Sequence, residues 1–198
     1  MKQLSVKTLT LIAIFSALAA ILSLFDFNLP FFPPFIKLDF ADLPALIATF
    51  AFGPLVGILI QIVRNAIHLF ISNTGGIGEL ANMLVGCSLV GTVGFLYHYV
   101  TKKRYPYVAL ACGIVTMSIV AMLANYYILL PLFSLFMPLE QILAFSAQFF
   151  PAVHDKYSFI LYVILPFNLL KGSLITVCAY PLYRKLAPAF SRLLFLNL

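Results

Sequence analysis

Asn168 and Lys171 stand three residues apart in a strongly apolar stretch, and Asn125 lies in another. On a helix, a spacing of three puts two side chains on one face. An asparagine amide offers both donors and an acceptor, whereas lysine offers donors only. If these stretches cross a bilayer, the lysine costs roughly 2.5–3.5 kcal/mol on insertion scales, so it faces a partner, a cavity or the interface. The three residues together favour binding a small molecule over breaking bonds. The plainer alternatives are asparagines bonding neighbouring helices, at about 0.6 kcal/mol each, and a lysine that snorkels outward. A second polar set, Arg64, Asn65 and His68, occupies one face of another apolar stretch. It pairs with helix ends or forms a second polar site.

Motifs for other chemistries are missing. Gly75-Gly76-Ile77-Gly78 lacks the lysine of a phosphate-binding loop, and Lys171-Gly172-Ser173 has the order wrong. There is no H-E-x-x-H, no G-x-S-x-G and no acid pair deep in an apolar stretch. Cys87, Cys112 and Cys178 are scattered without metal or disulfide spacing and read as packing residues. His98 and His154 are lone histidines with no assigned role. The expectation is no enzyme, no metal and no cofactor.

The elements that hold these residues are membrane helices. Of 198 residues, 63% are hydrophobic and 9% charged, against a usual charged share of roughly 25% in soluble domains. Several apolar runs approach or exceed the roughly 18 residues of a spanning candidate. They lack the alternation of outer-membrane strands, which argues against a β-barrel. The run from about Thr8 to Phe25 is longer than a signal-peptide core and lacks a clear cleavage site, so it is read as the first helix.

The expected fold is an all-α integral membrane protein forming a single domain, 1–198, with six spans. These are 8–25, 40–52, 54–72, 78–100, 107–133 and 165–186, with an external loop at 26–39. Phe40 to Ile71 is a nearly unbroken apolar block of 32 residues, which would reach roughly 48 Å against a hydrocarbon core of about 30 Å. Gly53-Pro54 divides it, because proline removes a donor and disfavours helix before it. The second helix is then short. Pro166 is expected to open the last helix, since proline suits the first helical position. Residues 138–165 become an external segment with room for a short helix. Asn125, Asn168 and Lys171 then lie at one depth near the outer surface.

Charge orients the bundle. With the N-terminus cytoplasmic, six spans put Lys2, Lys7, Lys102, Lys103, Arg104, Arg184, Lys185 and Arg192 inside, eight of the 12 basic residues. The outer connections hold Lys37 and Lys156. This is the positive-inside pattern, and both termini are cytoplasmic. All six acids, Asp26, Asp39, Asp42, Glu79, Glu140 and Asp155, fall in or beside the outer half. Glu79 is then the one acid placed to neutralise Lys171, and replacing Lys171 by Met is expected to spare insertion. The net charge of +6 is a topology signal and gives nucleic acid no support.

Ala13 and Ala17 are four apart on the first helix, as are Ser16 and Ala20. Such strips permit close helix approach, within this bundle or against another membrane subunit.

The segments FFPPFIKLDFADLPAL (Phe31–Leu46), FAFGP (Phe50–Pro54), GIGELANMLVG (Gly76–Gly86), ANYYILLP (Ala124–Pro131) and PFNLLKG (Pro166–Gly172) resemble the substrate-binding S components of energy-coupling factor vitamin transporters, most of all the riboflavin-specific type. The likeness runs in order along nearly the whole chain. ANYY and PFNLLKG are its specific parts. The resemblance implies a multi-pass protein of a prokaryotic cell membrane that binds riboflavin as transported ligand. Its implied partners are a membrane coupling subunit and two cytoplasmic ATPases.

It implies a site as well. The loop from Asn28 to Phe40 would fold over the substrate, adding Leu38, Asp39 and Phe40 to Asn125, Asn168 and Lys171 as ligand contacts. Apart from the resemblance, Glu79 and Asn82 at the outer end of the fourth helix are placed to accept from ribityl hydroxyls. Tyr126, Tyr127, Phe40 and Phe167 are available as aromatic walls. Ala13 and Ala17 would dock the coupling subunit. An S component for another vitamin, or for flavin mononucleotide, is the alternative; Lys37 and Lys171 could together meet a phosphate's charge.

Overall fold

The computed structural model describes residues 5–33 and 36–195, with side chains as far as Phe190. Lys2, Pro34 and Phe35 lie outside the described residues, as does the side chain of Arg192. Helix α1 (Val6–Ser23) begins at Ser5, whose hydroxyl oxygen accepts from the Thr8 amide at 3.2 Å. A short ribbon follows and is the one departure from an all-helical fold among the described residues. Strand β1 (Phe27–Asn28) pairs antiparallel with β2 (Lys37–Leu38), Phe27 opposite Leu38 and Asn28 opposite Lys37. The ribbon ties together the two ends of the first external loop.

The apolar block after the ribbon divides at Gly53-Pro54, as expected, into α2 (Asp42–Phe52) and α3 (Pro54–His68). Gly53 takes φ +97°, a region where a Cβ is rarely tolerated, and Pro54 starts α3 where its missing N–H costs nothing. Beyond Asp42 in its first turn, helix α2 is almost wholly apolar and buried throughout from Pro44 to Phe50, packed by α1, α3, α4 and α9. A helix with no polar face belongs in a core.

Helix α4 (Ile77–Phe95) passes close to the α2–α3 turn: a Cβ on Gly94 would stand 2.7 Å from Pro54 and from Thr49. It ends in a π-helical turn, Leu96–Val100. There His98 Nε2 donates to the Thr49 carbonyl at 2.9 Å, so this histidine fastens α4 to α2. Lys102 and Lys103, both with positive φ, turn the chain into α5 (Pro106–Ala124). A π-helical turn at Asn125–Leu129 and the short α6 (Leu130–Phe133) extend α5 outward. Helix α7 (Leu139–Ala147) fills the external connection.

The last span departs from expectation. It starts at α8 (Lys156–Phe159), continues through a π-helical turn (Ile160–Ile164) and runs on as α9 (Leu165–Phe195). Pro166 is therefore inside it. The start signal is a capping box: Asp155 Oδ1 accepts from the Ser158 amide at 2.8 Å, and Ser158 Oγ accepts from the Asp155 amide at 2.9 Å. The Ser158 hydroxyl also holds the exposed Asp155 carboxyl below the usual carboxylate range. Proline clashes with the carbonyl four residues back. A wider turn just before Pro166 accommodates that clash, and the same arrangement precedes Pro131.

Among the described residues, five helical segments are long and apolar enough to cross a membrane: Val6–Ser23, Pro54–Ile71, Ile77–Val100, Pro106–Phe133 and Lys156–Phe190, with α2 as a shorter apolar helix. Their outer faces carry exposed Leu, Ile, Val and Phe side chains, as a lipid solvent requires. The protein is an all-α membrane protein.

Candidate ligand-binding site

A cavity of about 250 Å³ opens between the first external loop and helices α3, α4, α5 and α9. Asn125, Asn168 and Lys171 all line it. They converge even though the depth expected for α9 was wrong. With the helix starting at Lys156, Asn168 lies 12 residues in, about 18 Å along the axis. The outer part of that helix is enclosed by the external loop and α7, where Phe32 packs on Phe150 and Phe167.

Each asparagine anchors itself on its own helix. Asn125 Nδ2 donates to Ala121 O and Asn168 Nδ2 to Ile164 O, both at 2.8 Å. An amide carries two N–H donors and an oxygen acceptor, so each keeps one donor and its acceptor for the cavity. Asn125 begins one π-helical turn, and Asn168 lies one turn past another. Such wider turns recur at functional sites.

Lys171 is not the poorly compensated charge expected. Its Nζ stands 3.2 Å from Asp39 Oδ2 and 3.4 Å from Asp42 Oδ2. Arg64 joins the same carboxylates from α3, its Nη1 3.3 Å from Asp42 Oδ1 and 3.9 Å from Asp39 Oδ1. Gln61 Nε2 donates to Asp42 Oδ1 at 2.8 Å, and the Ala41 amide to Asp39 Oδ1 at 2.8 Å. All four charged residues are at most 4% exposed. Two cations and two anions leave the cluster neutral, which is how buried charge becomes tolerable. Removing Lys171 therefore strands a carboxylate, and the expectation that insertion would be spared is corrected. Arg64 and Lys171 both line the cavity, whereas Asp42 and Gln61 lie behind them.

Asp39, Glu79 and Asn82 also line the cavity; Leu38 and Phe40 do not. Successive strand residues point to opposite sides. Lys37 and Asp39 face the cavity while Leu38 joins the hydrophobic core. Phe40 is half-buried elsewhere. Of the aromatic walls, Phe167 lines the cavity, whereas Tyr126 and Tyr127 face outward, 38% and 70% exposed. Lys156 sits over the Tyr126 ring at 4.2 Å.

Glu79 is already engaged. It accepts from His68 Nδ1 at 2.8 Å, Ser72 Oγ at 2.7 Å and Thr74 Oγ1 at 3.1 Å. This gives Gly75 and Gly76 a role: both have positive φ, and their turn folds the Ser72–Thr74 hydroxyls against the start of α4. Ser72 Oγ accepts in turn from the Gly76 amide at 3.0 Å. At the mouth, Lys37 pairs with Asp26 at 2.9 Å. Ala13 and Ala17 lie exposed on α1, away from the cavity, while Ser16 and Ala19 on its other side are fully buried.

Residues 7–183 match the family described as "ECF transporter, substrate-specific component". The chain belongs to that family. This S component is 34% identical over 187 residues to the riboflavin transporter RibU of Staphylococcus aureus, covering 94% of each chain. It is 30% identical over 190 residues to the riboflavin transporter FmnP of Bacillus subtilis, covering 93% of this chain and 94% of that one. A solved structure, described as that of the S component of a bacterial ECF transporter, superposes with a TM-score of 0.73 at 32% identity, over 97% of this chain and 98% of that one. S components are transporter subunits, not enzymes, and this one is a multi-pass membrane protein.

Proposed function

We propose that this S component captures riboflavin at its outer face and delivers it inward when joined to the rest of an ECF transporter. The observation that carries the reading is the convergence of two asparagine amides and a lysine on one cavity. An isoalloxazine edge carries carbonyl acceptors and an N–H donor. Asn125 and Asn168 offer both halves of that pattern, and Lys171 and Arg64 offer donors to a carbonyl oxygen. Phe167 and Phe133 supply apolar wall, as in most small-molecule sites. The curated names of the relatives favour riboflavin over another vitamin.

Charge balance favours the free vitamin over its phosphate. The cavity is bordered by three lysine or arginine cations, Lys37, Arg64 and Lys171, and each faces a carboxylate. A phosphate monoester brings about −1.5 to −2 charges and would have to displace one of those pairs. Lys37 and Lys171 are therefore not free to meet it.

The coupling partners in this reading are a membrane subunit and two cytoplasmic ATPases. The exposed Ala13–Ala17 strip is the docking face for the first, because small residues let a second helix approach closely. Ala17→Phe is expected to abolish vitamin uptake by cells while leaving binding by the purified chain unchanged. Normal uptake would take the strip out of the interface.

The binding test is direct. The chain, purified in detergent from cells containing flavin, should show a flavin absorbance band at near-stoichiometric amount. Added riboflavin should lose its fluorescence on the emptied protein, and flavin mononucleotide should compete weakly. A colourless protein that does not quench riboflavin sinks the flavin reading.

A further inference from the structure

Helices α5 and α9 run antiparallel. Gly172 faces Ile114 near the cavity, and the Tyr107 ring meets Tyr180 edge-on at 5.4 Å near the other end. Between these contacts the helices part, leaving a surface groove of about 400 Å³ on the outside of the bundle. Its walls are apolar: Leu110, Ala111 and Ile114 on one side, Val177 and Pro181 on the other. Thr176, its buried hydroxyl, is already bonded to the Ser173 carbonyl at 3.1 Å. The groove presents no group that would hold a polar ligand along its length.

Its end is different. Arg184 follows Tyr180 by four residues and Pro181 by three, and Lys185 follows Pro181 by four. Helical periodicity therefore carries the groove's face of α9 directly into these two cations. Arg104 lies three residues before Tyr107 and stacks on Tyr105 at 5.2 Å. All three cations are exposed, and none has an ion pair among the described residues. Every aspartate and glutamate side chain lies toward the other end or in the outer connections.

An apolar channel on a spanning helix pair, whose α9 face continues by helical spacing into exposed cations, has the chemistry of one ligand. We propose that the α5–α9 groove binds an anionic phospholipid, one acyl chain between Ala111 and Val177 and its phosphate against Arg184, Lys185 and Arg104. Basic pockets between spanning helices recognise lipid head groups in this way. Tyr107 and Tyr180 stand where aromatic rings anchor at the interface. The site is remote from the vitamin cavity and does not depend on the identity of the vitamin.

The test is native mass spectrometry of the full chain after delipidation and exposure to either phosphatidylglycerol or phosphatidylcholine. One phosphatidylglycerol should be retained, with a preference of roughly ten-fold, about what one to two interfacial cations supply. Ala111→Phe, which fills the groove, and the pair Arg184→Gln with Lys185→Gln should each lose that retention. Unchanged circular dichroism and monodisperse elution would show both variants folded. Equal retention of the two lipids, or retention indifferent to both variants, overturns the proposal. Ala111→Phe that keeps the lipid yet stops uptake in cells would give the groove to a protein partner instead.

Discussion

The two ends of this bundle handle charge in opposite ways. Around the cavity, every lysine and arginine faces a carboxylate, and Asp39, Asp42, Arg64 and Lys171 form a neutral cluster that is almost wholly buried. At the other end Lys102, Lys103, Arg104, Arg184 and Lys185 are exposed without ion pairs among the described residues. The cause is dielectric. A lone charge held away from water is costly, so cations inside the bundle come with matched anions. A cation at the interface keeps its water and can be left over. Unpaired charge marks the surface that meets lipid and solvent; paired charge marks the floor of the cavity.

The sharpest way to break this contrast is Asp42→Asn. It leaves two buried cations sharing one carboxylate, and removing one partner of a buried pair costs about 3–5 kcal/mol. Thermal unfolding in detergent should show a large fall in Tm, with riboflavin quenching lost as well. Adding Lys171→Met restores neutrality with Arg64 against Asp39. Stability should then recover while binding does not, because Lys171 faces the cavity. A single variant as stable as the parent would mean that the cluster is not what holds α2, α3 and α9 together. At the opposite end the same kind of change should do almost nothing. Lys102→Gln with Lys103→Gln should shift stability by no more than about 0.5 kcal/mol and leave riboflavin binding untouched. A loss comparable to that of Asp42→Asn would erase the distinction between the two ends.

How much of this was legible in the sequence follows from the range of each signal. Composition and apolar length revealed the spans, and Gly53-Pro54 divided α2 from α3, because bilayer thickness and proline sterics act locally. The face shared by Asn168 and Lys171 was legible for the same reason. Pro166 misled. Its preference for a first helical turn is real, but the capping box opened by Asp155, eleven residues earlier, starts the helix. That box was present as an Asp-x-x-Ser spacing. The charge cluster was harder to foresee, since Lys171 lies 132 residues from Asp39 and no local pattern joins them. Two clues were there: Asp39 and Asp42 are three apart, and so are Gln61 and Arg64. Leu38 and Phe40 came with Asp39 from the resemblance, as parts of one loop, whereas alternation along the chain sends neighbours to opposite sides.

Helix α2 has a consequence for how the protein is made. Its 11 residues reach only about 16 Å, roughly half of a hydrocarbon core, and they begin with a carboxylate. Such a segment is too short to span a bilayer by itself. Its pairing with Arg64 of α3 makes the two helices cheaper to bury together than either charge alone. Of the four residues in the buried charge cluster, Lys171 on the last helix is also the last to be synthesised.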